Sequence, residues 1–239
     1  MRSAFLCGIG FLLLGAAAPS PEKDLTAAQI LKSMAQAYAD CQSYSDSGVV
    51  KTVFFKGQYT WTDEKPFTTA FVRPDRFRFE YQEVKKADLP KERYIVWRDG
   101  DVVRSWSDFE RGVRKQPSLG MAVAGATGVS GASAHTVSTL ILPEEIGGRR
   151  LTDITEARRI EDAREGSTDC FRIQGRYADS PVTVWVDKQT FLVRRIDLSR
   201  ADKDLRTERT TTYEPVINGE VTQEMLAFDP PADSAAAEK

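Results

Sequence analysis

The sequence holds only three cysteines, one histidine and four methionines. A single histidine, His135, cannot build the histidine-rich ligand sets of zinc sites, and no two cysteines sit close enough for a Cys-x-x-Cys clamp. No metal and no other cofactor is therefore expected. The glycine-rich phosphate loop of nucleotide-binding folds is missing, as is the Gly-x-Ser-x-Gly turn of α/β hydrolases. Charge excess is lacking as well: 33 Lys and Arg stand against 35 Asp and Glu, a net charge of −2. That balance offers nothing to nucleic acid. Beyond the N-terminus no apolar run approaches the about 20 residues of a membrane-spanning helix, so the body of the chain is not read as membrane-spanning.

What is present begins with a basic start, Met1 and Arg2, an uncharged apolar stretch from Ala4 to Ala18, and then Glu22, Lys23 and Asp24. That order is a secretory signal peptide, cleaved after Ala17 because Pro19 disfavours a cut directly after Ala18. Cys7 lies too early in the run to carry a lipid, so no lipid anchor is expected. The chain divides into a signal peptide, 1–17, one domain, 18–231, and a disordered tail, 232–239. Cys41 and Cys170 remain after processing, and an oxidising compartment commonly bridges an even pair. Such a bridge would contribute about 4 to 5 kcal/mol by closing a long loop. Two buried thiols are the other reading.

Between Asp24 and Cys41 the residues Ala27, Ile30, Leu31, Met34, Ala35 and Tyr38 recur at spacings of three and four, and Thr26 with Gln29 makes a capping box. This predicts an amphipathic helix. From Gly48 onward the period becomes two. Phe77, Phe79 and Tyr81 share one face of a strand, and Arg76, Arg78, Glu80 and Gln82 share the other. Similar strands are expected at Val49 to Lys56, Phe67 to Arg73, Tyr94 to Arg98 and Val102 to Ser107, the last two joined by the hairpin signal Asp99-Gly100. After a break the pattern resumes at Ile154 to Asp162, Cys170 to Tyr177, Val182 to Val186, Phe191 to Leu198 and Arg206 to Tyr213. The break, 116–148, is rich in Ala, Gly and Ser, almost free of charge, and carries Met121, Val123, Leu140, Ile141 and Leu142. A segment this apolar must cover something. Short helices at Ser118 to Ala126 and His135 to Leu142 would make it a lid.

The run Phe71-Val72-Arg73-Pro74-Asp75-Arg76-Phe77-Arg78-Phe79, the Asp99-Gly100 hairpin followed by Trp106, and the ending Phe228-Asp229-Pro230-Pro231 resemble the LolA superfamily of periplasmic lipoprotein carriers. The resemblance implies a mainly β, α+β fold: an unclosed antiparallel barrel of about eleven strands, shaped like a half pipe, with an N-terminal helix and a helical lid over its concave face. It also implies a hydrophobic cavity for acyl chains. The arginine before the proline, here Arg73, would hydrogen-bond to the lid and hold the empty cavity shut, and Phe77 would border the cavity. Trp185-Val186-Asp187 followed by Phe191-Leu192-Val193-Arg194-Arg195, together with the cysteine pair, depart from the carriers and leave the cargo open.

Arg73 shares strand parity with Phe67, Thr69 and Phe71, which turns it toward the apolar face, where an unpaired charge is costly. Either lid carbonyls receive it, or the chain bends before Pro74 and Arg73 meets solvent. The expected cavity lining is Phe67, Phe71, Phe77, Phe79, Tyr81, Trp97 and Trp106 from the sheet, with Met121, Leu140 and Leu142 from the lid. An acyl chain buried there would gain roughly 0.8 kcal/mol per methylene. The expected function is a monomeric periplasmic carrier for a lipid or lipoprotein acyl chain, served by an envelope donor or acceptor protein. An envelope sensor or interaction module using the same cavity is the alternative. A hydrolase built on His135 with Ser130, Ser133 or Ser138 is a third reading, disfavoured by the missing nucleophile turn.

Overall fold

A computed structural model describes residues 25–83, 92–110 and 112–231. The expected signal peptide, 1–17, and tail, 232–239, lie outside these residues. At the first described turn Thr26 Oγ1 accepts a hydrogen bond from Gln29 N at 3.3 Å, and Gln29 Oε1 accepts one from Thr26 N at 2.8 Å. This capping box starts helix α1, Ala27–Asp40, which buries Ile30, Leu31, Met34 and Tyr38 along one stripe.

Six strands follow: β1 (Ser43–Lys56), β2 (Tyr59–Val72), β3 (Arg76–Glu83), β4 (Glu92–Asp99), β5 (Val102–Ser107) and the short β6 (Arg114–Lys115). Three helices then occupy the charge-poor segment: α2 (Leu119–Val129), α3 (Ser133–Thr136) and α4 (Ser138–Ile141). A 3-10 turn, Leu151–Asp153, leads into β7 (Thr155–Glu165), β8 (Thr168–Tyr177), β9 (Ser180–Asp187), β10 (Val193–Asp202) and β11 (Leu205–Tyr213). The described chain ends with β12 (Val216–Ile217) and α5 (Gln223–Leu226).

All strands join one antiparallel sheet in the order β6-β5-β4-β3-β2-β1-β11-β10-β9-β8-β7, with β12 beside β1. Within the described residues β6 and β7 end the path without meeting, so the sheet is unclosed. The expected mainly β, unclosed antiparallel architecture is thus observed. The two halves are sewn together where β1 pairs with β11, from Gly48 opposite Tyr213 to Lys56 opposite Leu205.

Strand alternation gives the sheet two distinct faces. On the inner face, Tyr213, Gly48, Phe67 and Tyr81 form one cross-strand row. A Cβ on Gly48 would lie 2.4 Å from the Phe67 ring and 2.3 Å from Thr212 O, so glycine here makes room for the phenyl group. Phe67 meets Tyr213 edge-on at 5.4 Å between centroids. Helices α1, α2 and α4 pack on this face in one continuous buried cluster with Phe71, Phe77, Phe79, Phe171 and Val184. The outer face carries a second, smaller cluster of Ile95, Trp97 and Trp106, capped by Phe228 behind α5. Arg78 anchors that C-terminal segment by donating to Ala227 O at 2.5 Å.

The inner face also buries one carboxyl group. Asp46 Oδ2 accepts from Tyr44 OH at 2.6 Å. Burial raises this carboxyl from 3.8 to about 6, against the hydrogen bonds from Tyr44 and Thr69, which pull it down. Because the folded value lies above the unfolded one, this contribution to stability is fully present below about pH 4 and lost as pH rises through about 6. Its size is on the order of 3 kcal/mol. Denaturant titrations should therefore show Asp46→Asn gaining on the wild type by up to about 3 kcal/mol between about pH 4 and pH 8. A difference that does not change with pH would contradict the buried, protonated carboxyl.

Candidate functional site

The segment 116–148 is fastened to the sheet at the carboxyl ends of its helices. Arg73 continues β2 inward: its backbone N–H donates to Gln42 O at 2.9 Å, and its guanidinium turns back under the chain. Nε donates to Cys41 O at 2.7 Å, and NH2 to Ala39 O at 2.5 Å and to Ile141 O at 3.1 Å. The first two acceptors close α1 and the third closes α4. Lys65, on the same side of β2, donates to Val129 O at 2.8 Å, the last residue of α2. Arg209 of β11 donates to Gly131 O at 3.1 Å, two residues further on in the turn between α2 and α3. Arg98 of β4 completes the set with an ion pair to Glu145 at 2.5 Å.

The arrangement has one physical cause. The last carbonyls of a helix have no intrahelical donor and carry the negative end of its dipole. Lys65, Arg73 and Arg209 alternate with apolar inner-face residues, so their charges are delivered to a dry surface where they require acceptors. The helix ends supply them, joined at Lys65 by the Glu83 carboxylate 3.7 Å away. Of the two readings of Arg73 open from the sequence, the contacts are those of the inward one.

Phe67, Phe71, Phe77, Phe79 and Tyr81 all project from the inner face, and Leu140 and Leu142 meet them in the same buried cluster. Trp97 and Trp106, expected beside them, require correction. Val96 is the inner-face partner of Phe79, whereas Trp97 lies opposite Arg78 and Arg104, and Trp106 opposite Ile95. Both indoles therefore lie on the outer face beneath Phe228, at 5.2 and 5.4 Å between centroids. Met121 also requires correction: α2 buries Leu119, Ala122, Val123 and Ala126, which leaves Met121 on its far side, 60% exposed. The expected Cys41–Cys170 disulfide is likewise not formed. Both are buried free thiols. Cys41 donates to Tyr38 O at the end of α1, while Cys170 alternates with Phe171 and so points away from the face that α1 covers.

The hydrophobic cavity expected between sheet and lid also requires correction: among the described residues that space is filled by the protein's own side chains. Phe71, Phe77, Phe79, Val123 and Ile141 have no exposed surface at all. A groove of about 190 Å³ runs between α1 and α4 beside Gln36, Ala39, Leu140 and Pro143. A larger concavity of about 640 Å³ opens on the outer side near Ser47, Pro66, Thr68 and Gln82, walled by the β7–β8 turn at Glu165 to Thr168. The polar groups near His135 serve the backbone. His135 Nε2 lies 2.9 Å from Gly147 O, Ser138 Oγ donates to Ala134 O, and Ser133 Oγ donates to Ser130 O. Among the described residues no helix is long and apolar enough to cross a membrane.

Lys65 and Arg209 were missed in the sequence. Their signal was available: each is a cation in phase with buried residues, Phe67 for one and Thr211 and Tyr213 for the other.

Fold and site together define an open antiparallel half-barrel with a pinned helical cover on its inner face. No family model matches the chain, and no curated protein matches it. Among solved structures it is similar to the Pseudomonas aeruginosa MucA/MucB complex at 11% identity and a TM-score of 0.44, covering 85% of this chain and 61% of that one. The chain thus spans about three-fifths of that relative's length. It is also similar to LprF from Mycobacterium bovis, with 11% identity, 92% and 100% coverage and a TM-score of 0.41. A LolA superfamily protein from Nitrosomonas europaea gives 9% identity, 85% and 98% coverage and a TM-score of 0.32. At these TM-scores the architecture rests on the strand order and register themselves.

Replacing Arg73 by Leu leaves carbonyls of α1 and α4 without their donor and should cost about 2–4 kcal/mol. Hydrogen exchange should rise first in 133–142 and at the end of α1. Exchange that rises evenly along the chain, or not at all, would show that Arg73 does not hold the cover.

Proposed function

We propose that this chain binds a hydrophobic ligand, the acyl chain of a lipid or lipoprotein, between the inner face of its sheet and the α2–α4 cover, and that the structure is its closed, empty state. The observation that carries this reading is the manner of attachment. The cover contributes no strand to the sheet. It is held by apolar contact and by cation–carbonyl bonds at its helix ends, so it can lift without breaking the sheet.

Magnitudes support a reversible exchange. Each bond from a charged donor contributes about 1.5–3 kcal/mol, so the Lys65, Arg73 and Arg209 pins together oppose opening by roughly 5–9 kcal/mol. An acyl chain of about 14 methylenes gains roughly 11 kcal/mol on burial. The two are of similar size, which suits a carrier that must both load and release. The reading assigns no catalytic step and no cofactor. It places the chain in the periplasm as a monomer, passing cargo between envelope donor and acceptor proteins.

A soluble fluorescent fatty acid tests the reading. The wild type should bind it with saturation, and Arg73→Leu should load it at least about fivefold faster, since opening loses about 1 kcal/mol or more of opposition. Native mass spectrometry of protein isolated from a periplasm should show an acyl adduct. A chain that takes up no probe in either form would not be an acyl carrier.

A further inference from the structure

The cover stops short of one end of the inner face. Lys65 and Arg209 mark its boundary, and beyond them β1, β2, β10 and β11 continue with no helix of the cover packed on them among the described residues. In the first uncovered row, Arg200 lies opposite Thr207, Thr207 opposite Phe54, and Phe54 opposite Trp61. The next row runs from Asp202 through Leu205 and Lys56 to Tyr59. Phe54 and Trp61 stack almost flat, 4.9 Å apart at an interplanar angle of 4°. Trp61 is 43% exposed and Tyr59 is 68% exposed. These are large aromatic groups kept in water at a hairpin tip, where core packing gives no reason for them.

The charges on this shelf are uneven. On it Lys56 pairs with Asp204, while the pairs Lys51 with Glu64 and Arg206 with Glu208 lie on the opposite face of the sheet. Arg200 and Arg209, on neighbouring strands of the shelf itself, have no carboxylate within ion-pair distance among the described residues. Asp63 shares Arg209's row but is separated from it by Thr52. Burial, and then the neighbouring Arg200 charge, hold the Arg209 guanidinium below its usual value. Arg200 on the open face, repelled by Arg209 at the edge of the cover, calls for an anion.

We propose that this shelf docks the protein on a phospholipid bilayer, with Phe54, Tyr59 and Trp61 entering the interfacial region and Arg200 with Arg209 receiving a lipid phosphate. Three observations favour a bilayer over a protein. Tyrosine and tryptophan together suit the water–hydrocarbon boundary. The β1–β2 ladder stays paired out to Lys56 opposite Tyr59, so the tip brings few unsatisfied backbone groups into the interface. An arginine pair beside an aromatic platform matches a phosphate held above acyl chains. The surface adjoins the edge of the cover at Val129 and Gly131, where cargo leaving a membrane would first meet the inner face. Docking does not itself depend on the acyl-binding reading.

Co-sedimentation with vesicles of phosphatidylethanolamine and phosphatidylglycerol tests it. The wild type should partition to the vesicles. Trp61→Ala and Tyr59→Ala, both at exposed sites, should each weaken partitioning by about fivefold or more, and Arg200→Glu by at least about fivefold. Brominated lipid should quench the wild type more than Trp61→Phe. All of these variants should still bind a soluble fatty-acid probe as the wild type does, which separates the shelf from the space under the cover. Wild type remaining in the supernatant, or either class of variant partitioning unchanged, overturns the proposal and leaves the shelf to a protein partner.

Discussion

A cation raised on a dry surface must find an acceptor, and around this requirement the inner half of the molecule is arranged. Alternation along β2 and β11 turns Lys65, Arg73 and Arg209 toward the apolar side, where an uncompensated charge costs several kcal/mol. The carbonyls left open at the ends of α1, α2 and α4 are the groups that a cation can satisfy there. Each pin therefore solves two problems together: it removes a buried charge penalty and completes a helix end. The short helices α3 and α4 have little propensity of their own, so their position depends on such contacts and on the aromatics beneath.

The sheet answers to a different constraint. Its halves are joined by the long β1–β11 ladder, and its inner surface is leveled by Gly48, which lets the Phe67 ring lie across the strand. The outer face is closed separately by the C-terminal segment, with Phe228 over Trp97 and Trp106 and Arg78 holding the backbone behind it. The frame is thus buttressed on both sides, while the cover is attached by packing and by its helix ends. In such a division the sheet persists and the cover moves.

Much of the architecture could be read before the structure. The capping box at Thr26 and the three-four spacing behind it located α1. Strand β5 runs from Val102 to Ser107 as expected, since Asp99-Gly100 fixes its start. Arg73 was recognisable as a charge on an apolar face. A lid carbonyl such as Ile141 O was one of the two readings for it, whereas the α1 carbonyls of Cys41 and Ala39, 32 and 34 residues away in sequence, were not foreseen. Trp97 and Trp106 went to the wrong side for a definite reason: β4 is apolar on both faces, Tyr94 and Val96 against Ile95 and Trp97, so alternation alone could not say which pair met the helices. Met121 was misplaced because α2 is composed largely of Ala, Gly and Val and shows little contrast between its sides. Strand β1 ends at Lys56 as expected, but β2 begins at Tyr59 and not at Phe67, because the turn between them rests on a lone glycine, Gly57, too weak a signal to mark it.

The movable cover is most directly tested by an electron-spin distance between its exposed side and the frame. Met121→Cys on α2 and Thr62→Cys on β2 place two labels at exposed sites. Cys41 and Cys170 are buried, and burial pushes both thiols up, which favours labelling at the introduced positions. The expected result is one narrow distance in the empty protein and a second, longer population on adding a fatty acid, growing with its concentration while distances within the sheet stay fixed. A single distance that does not change with saturating fatty acid would contradict the opening of the cover.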